Sequence, residues 1–258
     1  RSGPRALRQA VTAARYLGRV VPHLRSELRH GSLLHVQGLF GIWLTEITVR
    51  GVRGTPVVFT PHNLFARTGG RRAYRSIARS IRAADVAVGF SVADADEIAR
   101  IGGRGVVAPF VFTHPEPDES ASSRWRSTFG EGAHVGMLGQ IRSDKRPDVF
   151  VEACALVGIR PIIVGKDLGG LAAAQDAATR LGTGLTLVEG FLPLQDFVDV
   201  LSSLDVVVSP QTTASTSGPL ALARDLGVAT VANDVGGLGE VATVTTSEQT
   251  PEALASAI

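Results

Sequence analysis

The chain has 258 residues, 44% of them hydrophobic, enough to bury one or two cores of ordinary domain size. Its one cysteine, Cys154, excludes an intrachain disulfide and a cysteine-based zinc site and fits a reducing compartment. No apolar run reaches membrane-spanning length, since the longest, near residues 33–44, is interrupted by His35 and Gln37. The chain therefore reads as cytoplasmic, either soluble or peripheral at the inner face of a membrane. The net charge of +2 conceals a split. Residues 1–113 carry 17 Arg and no Lys against 6 acids, or +11, and residues 114–258 carry 7 Arg and 2 Lys against 18 acids, or −9. A basic half joined to an acidic half implies two domains with different partners. The basic half suits anionic lipid, nucleic acid or an anionic acceptor, or is simply an Arg-rich solvated surface.

In chain order, residues 1–30 repeat Leu7, Val11, Ala14, Leu17, Val21, Leu24 and Leu28 at helical spacing, with arginines on the other face. The reading is a helix packed on a sheet; a membrane-surface helix and a targeting segment are the alternatives. The chain opens on Arg1 rather than Met, so an upstream segment is expected. Strands follow at 33–37, 56–60, 86–88 and 105–108, with helices at 38–50, 71–82 and 92–101 between them. Such alternation predicts a parallel sheet covered on both faces. Pro109, Pro115, Pro117 and the serines up to Ser123 break the pattern, and residues 114–130 read as an inter-domain connection. The alternation restarts in residues 131–258, with strands at 135–138, 161–164, 185–188, 205–209 and 229–232 and helices at 147–157, 170–181, 194–203 and 218–227.

In open parallel sheets, ligands bind outside the carboxyl ends of the strands, which singles out the loops after Thr60, Leu138, Val164, Val188, Ser209 and Ala232. Lys145 and Arg142 suit phosphate, Gly165 and Gly190 allow a ring to approach the backbone, and Ser215, Thr216 and Ser217 offer hydrogen bonds. Gly218 and Pro219 open a helix whose side-chain cap is expected from the preceding Ser/Thr run, and whose first-turn N–H groups form a seat for phosphate. The plainer reading of that stretch is a capped core helix followed by the tight Gly236-Gly237 turn.

Three segments carry a more specific likeness. LGQIRSDKRPDVFVEA, EGFLPLQDFVDVLSSLDVVVSP and GVATVANDVGGLGEV, between Val135 and Glu240, resemble in order and spacing the nucleotide-sugar-binding domain of GT-B glycosyltransferases, most closely glycosyltransferase family 4. In the first half, VVFTPHNLF and ADVAVGFS resemble the same family's strand followed by Thr-x-His and its later strand ending in Ser. The Gly-Gln-Ile-Arg and Thr-x-His-Asn forms are similar to a subgroup that builds bacterial cell-surface polysaccharide and glycolipid. The resemblance implies an α/β fold of two Rossmann-like parallel-sheet domains facing a cleft. It implies a hexosyltransferase that uses a UDP- or GDP-linked sugar, needs no metal and no other cofactor, and acts on a lipid-linked or cell-surface glycan acceptor. Against that fold both chain ends look incomplete.

Residue by residue, the resemblance implies that Lys145 binds the donor diphosphate, and that Gly139 and Gln140 belong to the same loop. Gln140 stands where the family usually has Arg, so Arg142 is expected to supply that charge. Gly165 and Lys166 would border the nucleoside base. Ser215, Thr216, Ser217, Gly218, Pro219 and Leu220 would set the helix against the phosphates, and His62, with Asn63 beside it, would face the transferred sugar from the other domain. Retaining members of the family are thought to need no protein nucleophile; an inverting enzyme needs a general base, for which His62 is the candidate. One departure is serious. The family's paired glutamates fall on Ala214 and Leu222, or one position later, and neither count meets a carboxylate.

No acidic cluster suits Mg²⁺, since Asp94 and Asp96 lie at a helix start where acids are expected anyway. His23, His30, His35, His114 and His134 lack ligand spacing and read as structural. The missing glutamates motivate a rival reading, a non-catalytic nucleotide-sugar-binding partner subunit. A dinucleotide-dependent dehydrogenase ranks lower, because Gly236-Gly237-Leu238-Gly239 comes late and no ribose-binding acid follows it. A nucleic-acid binder ranks last for want of stacking aromatics.

Overall fold

The computed structural model describes residues 11–12, 14–28, 31–38, 42–52, 54–62, 64, 70–111 and 113–258. The chain divides into two units, 1–109 and 110–258.

In the first unit a π-helical turn, Tyr16–Val20, runs into α1 (Val21–Glu27), which is tied to α2 (Ile42–Gly51) by Tyr16 Oη and Thr48 Oγ1 at 2.5 Å and by Arg25 Nε donating to the Gly51 carbonyl at 2.7 Å. β1 (Leu34–Gln37), β2 (Val57–Thr60), β3 (Val86–Gly89) and β4 (Gly105–Val107) form one parallel sheet in the order β1-β2-β3-β4. Between them lie α2, α3 (Gly70–Ala83) and α4 (Val92–Ile101). Right-handed crossovers that all step in one direction place all three helices on the same face. The core follows suit: Val36, Phe59 and Ala87 pack against Val49, Ile77 and Ile98. The opposite face carries Val58, Val86, Val88 and Val106, which stay outside that core; Val106 is 40% exposed. The expected two-sided cover is thus one-sided among the described residues.

Helix α3 is strongly two-faced. Ala73, Ser76, Ile77, Ser80 and Ile81 are buried, and Arg71, Arg72, Arg75, Arg79 and Arg82 are exposed. Arg79 grips Glu46 of α2 through Nε at 2.6 Å and Nη2 at 2.8 Å, and Ser76 Oγ adds a bond at 2.7 Å. The Arg79 hydrogen bond holds the Glu46 carboxyl down at about 2. Ser91 caps α4 by accepting from Asp94 N, and Asp94 accepts in turn from Phe90 N, so Asp94 is part of a helix start.

The second unit begins earlier than the sequence suggested. Residues 119–129, read as part of a connection, form α5 (Glu119–Phe129), capped by Asp118 and bound to the unit's core through Phe129 and Trp125. Six strands follow: β5 (Val135–Leu138), β6 (Pro161–Gly165), β7 (Thr186–Glu189), β8 (Val206–Ser209), β9 (Ala229–Asn233) and β10 (Val244–Thr246). They form a parallel sheet ordered β10-β9-β8-β5-β6-β7. Here the winding reverses, so both faces are covered. α6 (Pro147–Leu156), α7 (Leu171–Leu181) and α10 (Pro251–Ala257) pack on one face around Phe150, Ile163 and Val208. α8 (Leu194–Ser202), α9 (Gly218–Asp225) and α5 pack on the other around Leu201, Val164 and Leu220. β10 and α10 were not anticipated from the sequence.

The chain order reverses between β5 and β8. In a doubly wound sheet that switch point opens a crevice at the strands' carboxyl ends, where the two flanking loops diverge to opposite faces.

Candidate functional site

Two loops meet at that point. The first leaves β5 at Gly139, and its anchor is Ile141, 1% exposed. Ile141 N donates to the Lys166 carbonyl at 2.9 Å, and its carbonyl accepts from Leu168 N at 2.8 Å and Gly170 N at 3.2 Å. Gly165, with φ +148°, is small for a different reason than expected. A Cβ there would stand 2.6 Å from the Gly139 carbonyl carbon and closer still to its oxygen. The close approach is therefore by the chain's own loop rather than by a ring. A 3₁₀ turn, Ser143–Lys145, then delivers Lys145, 9% exposed, ahead of Arg146, whose φ of 51° is the one positive value at a non-glycine among the described residues.

The second loop leaves β8 at Ser209 and reaches α9. Asn233, 2% exposed, donates its Nδ2 to the carbonyls of Pro210 at 2.9 Å and Gln211 at 3.1 Å, and Thr246 Oγ1 donates to Asn233 Oδ1 at 3.0 Å. Gly237 N donates to the Ser215 carbonyl at 3.1 Å, and Gly236 (φ +52°) lets the Ala214 carbonyl press against it. Ser217 is the N-cap residue of α9, yet its side chain makes no capping hydrogen bond, which corrects the expected side-chain cap. The first helical bond is Ala221 N to the Ser217 carbonyl at 3.0 Å. The N–H groups of Gly218 and Leu220 therefore lie ahead of the helical ladder, at the positive end of the helix.

The loops enclose a niche lined by Lys145, Ser209, Gln211, Ser217, Pro219 and Leu220 over the strand ends Met137–Leu138 and Val207–Val208. At its rim, a Cβ on Gly139 would stand 3.3 Å from Lys145 Nζ and 3.1 Å from Pro219 Cγ, so the ammonium and the first turn of α9 flank one glycine. A buried cation and a helix amino end side by side form a setting suited to an anion.

The other named residues are distributed as follows. Gln140 is exposed, and its Oε1 accepts from Arg142 Nη1 at 2.9 Å. Arg142 is clamped by Asp144 through Nε and Nη2, both at 2.8 Å, so its charge is already matched within its own loop. Ser215 is buried and Thr216 half-buried, and neither is among the residues that line the niche. Lys166 is exposed beside Phe191, its Nζ 5.1 Å from the ring centre; Phe191 is 72% exposed. Ala214 and Leu222, where glutamates were looked for, are buried apolar positions in the core.

In the first unit, His62 is exposed at the carboxyl end of β2, its ring edge-on to Phe90 at 5.8 Å between centroids. Asn63, His30 and residues 1–10 lie outside the described residues. Of the histidines read as structural, His35 Nε2 pairs with Thr60 Oγ1 at 2.8 Å and His134 Nε2 with the Gly130 carbonyl at 2.9 Å.

The sequence reading missed Ser209, Gln211 and Phe191. Gln211 belongs to no motif, and only its place two residues past the end of β8 marks it. Phe191 had a signal, an aromatic directly after Glu189-Gly190 at a strand's carboxyl end.

Comparisons with known proteins bear on the sequence of the second unit and on the fold. Residues 132–258 match the family model described as "Glycosyl transferases group 1". No curated protein sequence matches the chain. Among solved structures, a sucrose-phosphate synthase from Thermosynechococcus elongatus aligns with a TM-score of 0.72 at 18% identity, over 93% of this chain and 67% of that one. An E. coli trehalose-6-phosphate protein bound with UDP-2-fluoro glucose aligns with a TM-score of 0.74 at 11% identity, over 98% and 70%. A UDP-forming α,α-trehalose-phosphate synthase from Burkholderia xenovorans, in complex with glucose-6-phosphate, aligns with a TM-score of 0.71 at 9% identity, over 92% and 67%. At these identities the structures speak to the fold, and the sequence match to the second unit. Residues 132–258 are thus similar in sequence to the group 1 glycosyl transferases, and the chain has the two-sheet α/β fold of the GT-B glycosyltransferases.

Proposed function

We propose that the protein is a glycosyltransferase that moves a hexosyl group from a UDP- or GDP-linked sugar to a lipid-linked or cell-surface glycan acceptor. The observation that carries this reading is the niche at the switch point of the second sheet, where Lys145 and the amino end of α9 face one opening. In the transfer, the bond from the sugar's anomeric carbon to the diphosphate breaks and the acceptor oxygen bonds that carbon. The acceptor loses its proton and the nucleoside diphosphate leaves. Lys145 and the Gly218 and Leu220 N–H groups stabilise charge as it grows on that leaving group. Those fixed charges make a metal and any further cofactor unnecessary. Gly139 borders the phosphates, and Lys166, with the exposed ring of Phe191, borders the base. Arg142 and Gln140 shape the loop from outside. In an inverting enzyme His62 takes the acceptor's proton.

The acceptor side rests on charge. Arg71, Arg72 and Arg75 are exposed in the first turns of α3, where a helix disfavours cations, and no acid accompanies them. An anionic membrane surface at the inner face of a membrane, where a lipid-linked acceptor resides, offsets that cost. No helix among the described residues is long and apolar enough to cross a membrane.

One observation favours a second reading. Ala214 and Leu222 leave the site without its expected carboxylates, as a non-catalytic nucleotide-sugar-binding partner subunit would. Turnover of UDP- and GDP-sugars with a panel of lipid-linked acceptors decides between the two. Release of nucleoside diphosphate that depends on an acceptor supports the transferase. Donor binding with neither transfer nor hydrolysis supports the partner subunit.

A further inference from the structure

Lys145 reaches the niche because the chain changes direction immediately after it. The 3₁₀ turn Ser143–Lys145 and α6 meet at Arg146, which ends the one and starts the other with φ 51° and ψ 54°. Arg146 N donates to the Ser143 carbonyl at 3.1 Å, and the Arg146 carbonyl accepts from Phe150 N at 3.2 Å, so both segments are hydrogen-bonded through this one residue. The left-handed conformation is costly for any residue with a Cβ. Pro147 explains why the chain does not take the cheaper helical one, since a proline ring crowds the residue before it and disfavours αR there.

The bend decides which side of the sheet Lys145 serves. In an unbroken helix Lys145 would share a face with Val149, four residues on. Val149 is buried with Phe150, Cys154 and Ile163 in the core on one face of the second sheet. Lys145 instead lines the niche with Ser217, Pro219 and Leu220 of the α9 turn, and Leu220 packs in the core on the other face. The Arg146 side chain does not follow it there. Its Nε donates to Asp148 Oδ1 at 3.2 Å and its Nη2 to Asp148 Oδ2 at 3.1 Å, which matches the guanidinium within the first turn of α6.

Building on the donor-site reading above, we propose that Arg146 is a positioning residue whose left-handed backbone, rather than its charge, aims Lys145 into the niche. Pro147 closes the helical alternative, and the Asp148 pair keeps the guanidinium away from the ligand. The strain at this turn therefore holds the ammonium at the switch point instead of letting it run on along α6.

The test is isothermal titration of the full chain with UDP and GDP, following the nucleotide the wild type binds. Each variant is made with and without Lys145→Ala, and its fold is read by circular dichroism. Arg146→Gly accepts φ 51° freely and is expected to keep the affinity within about 2-fold. Arg146→Val cannot hold that conformation. It is expected to weaken binding by about 10-fold, the lower worth of a charged hydrogen bond, but by less than about 2-fold when Lys145→Ala is already present. Pro147→Ala lifts the bar on a helical Arg146 without adding a branched side chain, is expected to show the same dependence on Lys145, and serves where valine prevents folding. Unchanged affinity in Arg146→Val or Pro147→Ala overturns the assignment. An equal loss with and without Lys145→Ala does so too, because it marks a general loosening. A loss in Arg146→Gly as large as that expected for valine also overturns it, since the guanidinium itself would then be the ligand. A wild type that binds neither nucleotide overturns the donor-site reading itself, and Arg146's role with it.

Discussion

Replacing Gly165 by alanine tests how the donor loop is built. Gly165 sits at φ +148°, a region side chains rarely adopt, and the new Cβ would stand 2.6 Å from the Gly139 carbonyl carbon. Ordinary contact begins near 3.4 Å, so the two strand ends must separate by 3.4 − 2.6, about 0.8 Å at that carbon and more at its oxygen. That movement pulls on Gly139 N to the Val164 carbonyl and Ile141 N to the Lys166 carbonyl, both 2.9 Å. Two weakened backbone bonds cost about 1 kcal/mol each, and alanine in that conformation adds about 1–3 kcal/mol of strain. The expected loss is about 3–5 kcal/mol, which lowers the melting temperature of a unit this size by about 10 °C or more. Chemical denaturation with tryptophan fluorescence reads the change, because Trp125 packs in this unit's core. Donor affinity is expected to fall as well, since Gly139 also borders Lys145. A Gly165→Ala protein that melts within about 1 °C of wild type would refute the reasoning that the two loops interlock here.

Two further outcomes are expected. The Glu46 carboxyl is held at about 2 by Arg79, below its ordinary 4.5, so this ion pair stabilises the first unit fully above about pH 4.5 and loses its effect as pH falls towards 2; Glu46→Gln should flatten acid unfolding over that window, and identical acid titrations of the two proteins would contradict it. Cosedimentation with phosphatidylserine vesicles should weaken as salt rises, and changing Arg71, Arg72 and Arg75 together to Gln should cut partitioning by about 100-fold at about 1 kcal/mol per arginine. Binding that is absent or insensitive to salt removes the membrane surface from the proposal.

Much of the second unit was legible because its strands are short apolar runs ending at glycine or proline. Val135–Leu138, Pro161–Gly165 and Val206–Ser209 differ from the sequence reading by at most one residue at either end. What local pattern could not carry was strand order, since the reversal between β5 and β8 is set by which helices cover which face. Helix α5 was hidden by the prolines before it and its run of serines. Asp118 with acceptor geometry to Ser120 N and Ala121 N, and Trp125 four residues before Phe129, were the signals available. Likewise Thr250-Pro251-Glu252 marked the start of α10, where Thr250 caps Ala253 N. β10 gave little signal, with Val244 and Thr245 exposed on an edge strand.

The sequence pointed to Lys145 and the Ser217–Leu220 turn by residue type alone, and the fold brings them to one niche. The site was not legible where a neighbour decides. Asp144 claims the Arg142 guanidinium that was expected to serve phosphate. Gly165 is reserved for a carbonyl of its own chain, and Ser217 leaves its helix uncapped. None of these follows from a one-dimensional pattern, because each depends on a loop from another strand.

The central claim is that Lys145 and the amino end of α9 jointly hold a diphosphate. Titration of wild type and Lys145→Ala with UDP and GDP tests it most directly. A charged hydrogen bond is worth about 1.5–3 kcal/mol, so the variant should bind the preferred nucleotide about 10- to 150-fold more weakly while its fold, read by circular dichroism, matches wild type. Equal affinity in the two proteins, or no nucleotide binding by the wild type, contradicts the account.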